Sequence, residues 1–208
     1  MLNPLLPVLL CALSSHLRGS EFEQTLAKAN QGDTVAQVQA ATAYETGTGV
    51  KKDIPEAAKW YENAAVQGDA AAQWKLGTLY LGGRGLRRDS PTAASWFRLA
   101  ADQGRADAQL QLARMHLSGA GVPKDDVEAY KWAELARKQK NHQATQLIRF
   151  LKQRMPAADI AKAMASVEEF EELRKLTAGE IGVPLIAPLL EEEDVQPAEP
   201  EAPETATE

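Results

Sequence analysis

The order of apolar, small and polar positions along the chain repeats every 36 residues. Residues 32–67, 68–103 and 104–139 align without gaps. In that register a glycine opens each copy (Gly32, Gly68, Gly104), and an alanine–glutamine pair comes next (Ala36–Gln37, Ala72–Gln73, Ala108–Gln109). Two glycine columns succeed it, Gly47, Gly83, Gly119 and Gly49, Gly85, Gly121, and then an aspartate column, Asp53, Asp89, Asp125. Trp60, Trp96 and Trp132, three alanines (Ala64, Ala100, Ala136) and Gln67, Gln103 and Gln139 close the copies. Self-similarity at a fixed period of this size marks an array of supersecondary units.

Each column has a mechanical meaning. Glycine accepts the left-handed conformation that ends a helix, so Gly47, Gly83 and Gly119 terminate a first helix. Asp53, Asp89 and Asp125 suit the N-cap of a second helix, and Glu56 and Glu128 stand where a capping box places its acid. Pro55 and Pro91 fall in the first helical turn, where proline is tolerated. The pattern predicts two short helices per copy, A at 34–46 and B at 54–66 in the first. One such pair cannot bury its apolar face alone, so the copies must stack. The tryptophan column is expected to fill the space between layers, and a buried Trp96 would cost about 3–5 kcal/mol on truncation to alanine. The fold class is therefore all-α, a solenoid of tandem helix-turn-helix repeats.

The ends differ from the middle. Residues 21–31 read as an N-terminal capping helix with Phe22, Leu26 and Ala29 inward. A partial fourth copy covers 140–154, with Ala144 in the alanine column and Leu147, Ile148 and Leu151 on its apolar face. Met155–Pro156 then breaks the pattern. Over 156–177, Ile160, Ala163, Met164, Val167, Phe170 and Leu173 recur at spacings of three and four, opposite a face bearing Glu168, Glu169, Glu171, Glu172, Arg174 and Lys175. That predicts a C-terminal capping helix. Residues 178–208 read as an acidic, proline-rich disordered tail.

Charge is segregated. The net formal charge is -6, yet residues 191–208 alone hold eight acids and no Lys or Arg. The remainder is near neutral and offers no basic field for nucleic acid. Lys51–Lys52, Arg87–Arg88 and Lys124 form a recurring basic point before each aspartate. It is a solvated turn, or an edge that meets an acidic partner or this chain's own tail. Cys11 is the only cysteine, which excludes an intrachain disulfide framework. Residues 5–13 form an apolar run too short to span a bilayer and of the length of a signal-peptide core, so residues 1–15 are read as a signal peptide and the protein as periplasmic or secreted. No Lys or Arg precedes the run, and an uncleaved cytoplasmic protein is the alternative. No stable membrane span is expected.

The stretch Gly68-Asp69-Ala70-Ala71-Ala72-Gln73-Trp74-Lys75-Leu76-Gly77-Thr78-Leu79-Tyr80-Leu81-Gly82-Gly83-Arg84-Gly85, continued by Asp89, Ala93, Trp96–Phe97 and Ala100–Ala101, resembles the Sel-one-like repeat, a relative of the tetratricopeptide repeat. The resemblance covers about residues 32–155. It implies a right-handed α-solenoid that presents surfaces to protein partners, with bacterial members often exported to the cell envelope. Copies depart from one another: Ala40–Ala41 stand against Leu76–Gly77, His116 against Tyr44 and Tyr80, and Ala133 against Tyr61 and Phe97.

Chemistry is sparse. His116 reads as a packed structural histidine, and no His, Asp and Glu cluster has metal spacing. The Gly82-Gly83-Arg84-Gly85 stretch lacks the Gly-Lys-Ser/Thr of a phosphate loop. No catalytic, metal or cofactor residue is assigned. In solenoids of this kind the A helices line the concave face, which makes Gln39, Ala43, Trp74, Lys75, Gln111 and Arg114 the candidate partner-binding residues. Trp74 shares a column with Val38 and Leu110 and is expected in the core; if exposed, it becomes the strongest anchor. The leading expectation is a non-catalytic scaffold for a protein or peptide in the cell envelope. The alternatives are an envelope glycopeptide-binding protein or hydrolase, and a cytosolic regulatory adaptor. The oligomeric state is left open.

Overall fold

A computed structural model describes residues 21–180, with side chains through residue 177. The predicted signal peptide and the acidic segment lie outside the described residues. Among these, all regular structure is helical: α1 (21–30), α2 (Thr34–Thr46), α3 (Ile54–Val66), α4 (Ala70–Gly82), α5 (Ser90–Asp102), α6 (Ala106–Ser118), α7 (Asp126–Lys138), α8 (His142–Lys152) and α9 (Ala157–Glu180). Helices α2, α4 and α6 are the A helices of three successive layers, and α3, α5 and α7 are their B helices. Each packs on its chain neighbours, which is the contact pattern of an all-α solenoid.

The turn columns do what their residue types allow. Gly47, Gly83 and Gly119 sit at φ 82°, 63° and 75°, and their N–H groups donate to the carbonyls of Ala43, Leu79 and Met115. The second glycine serves the stacking of layers. A Cβ on Gly85 would overlap Ile54 and Pro55 at the start of α3, and one on Gly121 would overlap Ser90 and Pro91 at the start of α5. Each turn is thus seated on the B helix of the layer before it.

Asp53, Asp89 and Asp125 cap the B helices, accepting from the backbone N–H of Glu56 (3.0 Å), Thr92 (3.1 Å) and Val127 (2.8 Å). The capping boxes are not completed. The N–H of each aspartate donates instead to the carbonyl of Tyr44, Tyr80 or His116, at 2.9, 3.0 and 3.0 Å. With that donor satisfied, Glu56 pairs with Lys59 and Glu128 accepts from the Trp132 indole N–H at 3.0 Å.

Two glutamine columns form a polar ladder inside the solenoid. Gln37, Gln73 and Gln109 are buried. Their amides donate to Ala29, Ala65 and Ala101, carbonyls in the last turn of the preceding α1 or B helix. Such carbonyls have no partner within their own helix. Their side-chain oxygens accept from Gln67, Gln103 and Gln139 at 2.7–2.8 Å. The same connection at α1 shows that this helix stands in for the B helix of a preceding layer.

The tryptophans occupy equivalent places but not equivalent environments. Trp60 packs on the N-terminal cluster of Phe22, Ala29, Ala36 and Ala40 as well as on its own layer, and Trp96 packs on the cluster of α3 and α4. Both are half-buried, so the expected full burial of Trp96 is corrected. Trp132 alone is fully buried, because α9 folds back over α7 and sets Phe170 edge-on against it, 5.5 Å between centroids. The aromatic that fills the layer also moves. Tyr61 and Phe97 are buried beside Ala58 and Ala94, whereas Tyr130 is buried beside Ala133. Positions three apart share a helix face, so the ring is shifted by one turn. A Cβ on Gly77 would overlap the Phe97 ring, which explains the glycine opposite that phenylalanine.

Helix α9 runs beyond the predicted 156–177. It is held by Lys138–Glu171 (2.6 Å) and by Arg174, which donates to the Gln103 carbonyl at 2.9 Å. Its apolar face ends at Phe170. Leu173, predicted inward, is 56% exposed, and Leu176 is 61% exposed.

Candidate protein-binding face

Helices α4, α6 and α8 together border an open cavity of about 500 Å³. Trp74 forms one wall, Leu110, Gln111 and Arg114 of α6 the floor, and Lys140, Asn141, His142 and Gln143 the opposite rim. Trp74, expected in the core, is instead half-exposed. The reason is local: the Val38 and Leu110 column faces the boundary between core and A-helix surface, and an indole is too large to fit wholly inside it. The ring is held from behind by the Arg105 guanidinium, 4.9 Å from its centroid. Across the cavity, Arg114 donates to the Gln143 amide oxygen at 2.9 Å.

The six candidate residues separate. Trp74, Gln111 and Arg114 come together in the cavity. Gln39 is exposed on α2, and Ala43 is half-buried against the N-terminal cluster, both away from it. Lys75 neighbours Trp74 but is engaged elsewhere. It donates to Glu45 at 2.8 Å, and the same carboxylate accepts from the buried Tyr61 hydroxyl at 2.8 Å. Burial pushes the Glu45 carboxyl up, but hydrogen bonds from Lys75 and Tyr61 outweigh that and hold it below its ordinary value. Burial raises the Tyr61 phenol well above its ordinary range. This triad ties α2, α3 and α4 together and serves the fold.

Four rim residues and Arg105 escaped sequence reasoning, although the repeat register carried a signal for two. Arg105 stands where Asp33, Asp69 and Asn141 cap their A helices, and α6 has no side-chain cap. Lys140 stands where the other copies have Gly32, Gly68 and Gly104, and it adopts φ 66° without being glycine. A non-glycine residue held in that region costs of order 1–3 kcal/mol, and such positions cluster at functional sites.

The His116 ring nitrogen lies 3.2 Å from the Pro123 carbonyl, a structural contact within its own turn. Among the described residues no three His, Cys, Asp or Glu side chains are placed to share a metal, and no helix is long and apolar enough to cross a membrane. A second open cavity, lined by Tyr80, Leu86, Arg87, Arg88, Asp89, Ser90 and Pro91, lies at the turn of the second layer.

Helical hairpins stacked at a fixed 36-residue period define a helical-repeat solenoid. The Sel1 repeat family model matches residues 34–69, 70–104 and 106–141, and the chain belongs to that family. Those limits lie about two residues beyond the copies read from the sequence and keep the same period. Sel1 repeat proteins are generally non-catalytic protein-interaction scaffolds. A Sel1 repeat protein from Oxalobacter formigenes is similar at 35% identity, over 62% of this chain and 97% of that one, with a TM-score of 0.58. A protective antigen of uropathogenic Escherichia coli with an SLR fold is similar at 24% identity, over 78% of this chain and 44% of the antigen, with a TM-score of 0.56. The latter is a likeness of fold alone. No curated protein matches the chain.

Proposed function

We propose that the chain is a non-catalytic scaffold that holds a protein or peptide segment against its A-helix face, with Trp74 as the anchor. The half-exposed indole carries this reading. It stands over an open cavity, backed by a guanidinium and faced by Arg114. Tryptophan and arginine dominate binding hot spots, because a large rigid surface is desolvated at little entropic cost. The apolar run at residues 5–13 supports a place in the cell envelope, periplasmic or secreted.

Immobilised full-length chain should capture a specific partner from an envelope extract. Trp74→Ala and Arg114→Glu should each weaken that capture at least tenfold, with thermal unfolding little changed. Undiminished capture by both variants would place the binding surface elsewhere. Mass spectrometry of the native protein tests the location: a chain beginning at Met1 or Leu2 contradicts export.

A further inference from the structure

Two departures from repeat symmetry line the Trp74 cavity and a third backs its indole, and each adds a group that binds anions or prolines. Trp74 replaces the aliphatic residue of its column. Arg105 replaces the capping acid, and Lys140 replaces the glycine. Arg114 adds a further cation from α6. Among the described residues the only acid on the cavity wall is Asp107, 3.8 Å from Arg105. The Arg105 Nε–H is buried with no partner among the described residues. Loss of the α6 cap and a left-handed lysine both oppose folding, so the cavity gains its cations at a cost in stability.

The chain carries a segment of matching chemistry. Residues 191–208 hold eight acids, no Lys or Arg, and Pro197, Pro200 and Pro203. They come after α9, whose last turns pass the α5–α6 turn that leads into the cavity helix: Arg174 donates to the Gln103 carbonyl and lies against Gly104, the residue before Arg105. From Glu180 to Glu191 is eleven residues, an extended reach of about 36 Å. We propose that residues 191–208 occupy the Trp74 cavity of their own chain, with carboxylates on Arg114 and Lys140 and a proline against the indole that Arg105 backs. The segment is then a tethered competitor, and the external partner of this face is an acidic, proline-containing peptide. This rests on the A-helix face being the binding face. It is preferred over the basic turn edge at Arg87 and Arg88, which has cations but lies at the opposite ends of the helices from the exit of α9.

The test uses the full chain and a labelled synthetic peptide of residues 191–208. A full-length variant with all eight tail acids changed to their amides should bind the peptide at least tenfold more tightly than the native chain, because its own tail no longer competes. In that background Arg105→Asp/Lys140→Gly, which restores the repeat consensus, should lower affinity at least tenfold while the thermal midpoint stays level or rises. Arg114→Glu, on an exposed residue, should lower affinity alike and serves if the double variant melts early. Arg87→Glu/Arg88→Glu should bind as tightly as its parent. Equal affinity for the native and neutralised chains, binding to neither, or loss of binding only in the Arg87/Arg88 variant would overturn the proposal. A zero-length carbodiimide should join Lys140 to a tail carboxylate within one molecule. Cross-links found only between isotopically distinct chains would make the occupant a second copy and equally overturn it. These outcomes are separable from failure of the scaffold reading, since partner capture by the native chain is measured independently.

Discussion

Trp132 and Trp96 share a column and differ in what covers them. Trp132 is fully buried, with Phe170 against its edge and the Arg98 guanidinium 4.9 Å from its ring. Its truncation to alanine should destabilise by about 3–5 kcal/mol. Trp96→Ala should cost clearly less, because part of its surface is already in water. Urea unfolding of both variants measures the difference, and equal losses would show that α9 adds nothing at Trp132. Glu45 permits a pH prediction. Its carboxyl lies below the ordinary value of 4.5, held there by Lys75 and Tyr61 against the opposing effect of burial. A lowered folded value means that the ionised form is favoured by folding. The stabilisation is therefore complete above the unfolded value and lost as pH falls through the folded one. Between about pH 5 and pH 3 the thermal midpoint of Glu45→Gln should fall less than that of the native chain. A parallel fall would show that the triad is unimportant to acid stability.

At the scale of the element, the helices are joined by closely packed apolar side chains, many of them small, and by buried polar groups at their ends. Alanine dominates the buried surface between A and B helices, which lets backbones approach closely but leaves helix-end carbonyls to be answered. The buried glutamines answer them. Gln73 donates to the Ala65 carbonyl at 3.1 Å and accepts from Gln103 at 2.8 Å. Gln73→Leu keeps the volume but removes one partner from each, leaving the Ala65 carbonyl with the Gly68 N–H and the Gln103 amide with the Gly68 carbonyl, and should cost about 0.5–1.5 kcal/mol. Exchange of the α4 amides, monitored by mass spectrometry, should quicken in the same variant. Gln103→Ala, at a half-exposed site, should cost less, since water can replace its amide.

At the scale of the whole molecule the solenoid is unequal at its two ends. Its largest buried cluster runs from α5 through α8 and takes in α9, whereas α1 and α2 share a small one around Phe22, Ala29, Ala36 and Ala40. In a stacked array each layer is stabilised by its neighbours, and an end layer has one neighbour fewer. Native-state hydrogen exchange should therefore open α1 and α2 first and α5 to α7 last. Equal protection across the array would mean that the layers unfold as one unit.

The sequence determined the repeat, its helix limits and its caps, because each depends on neighbours within a few positions: an aspartate before a helix, a glycine after one, small residues at fixed spacing. Helices α2 and α3 have the bounds the pattern predicts, 34–46 and 54–66. The tertiary structure decided the consequences of stacking. It buried Trp132 but not Trp96, brought Trp74, Gln111, Arg114 and Lys140 around one cavity with Arg105 behind the indole, and drew Lys75 into a structural triad. Those outcomes depend on which helix of another layer lies opposite, and on α9 folding back over α7. A one-dimensional register fixes the phase of each residue on its own helix but not what occupies the space across from it.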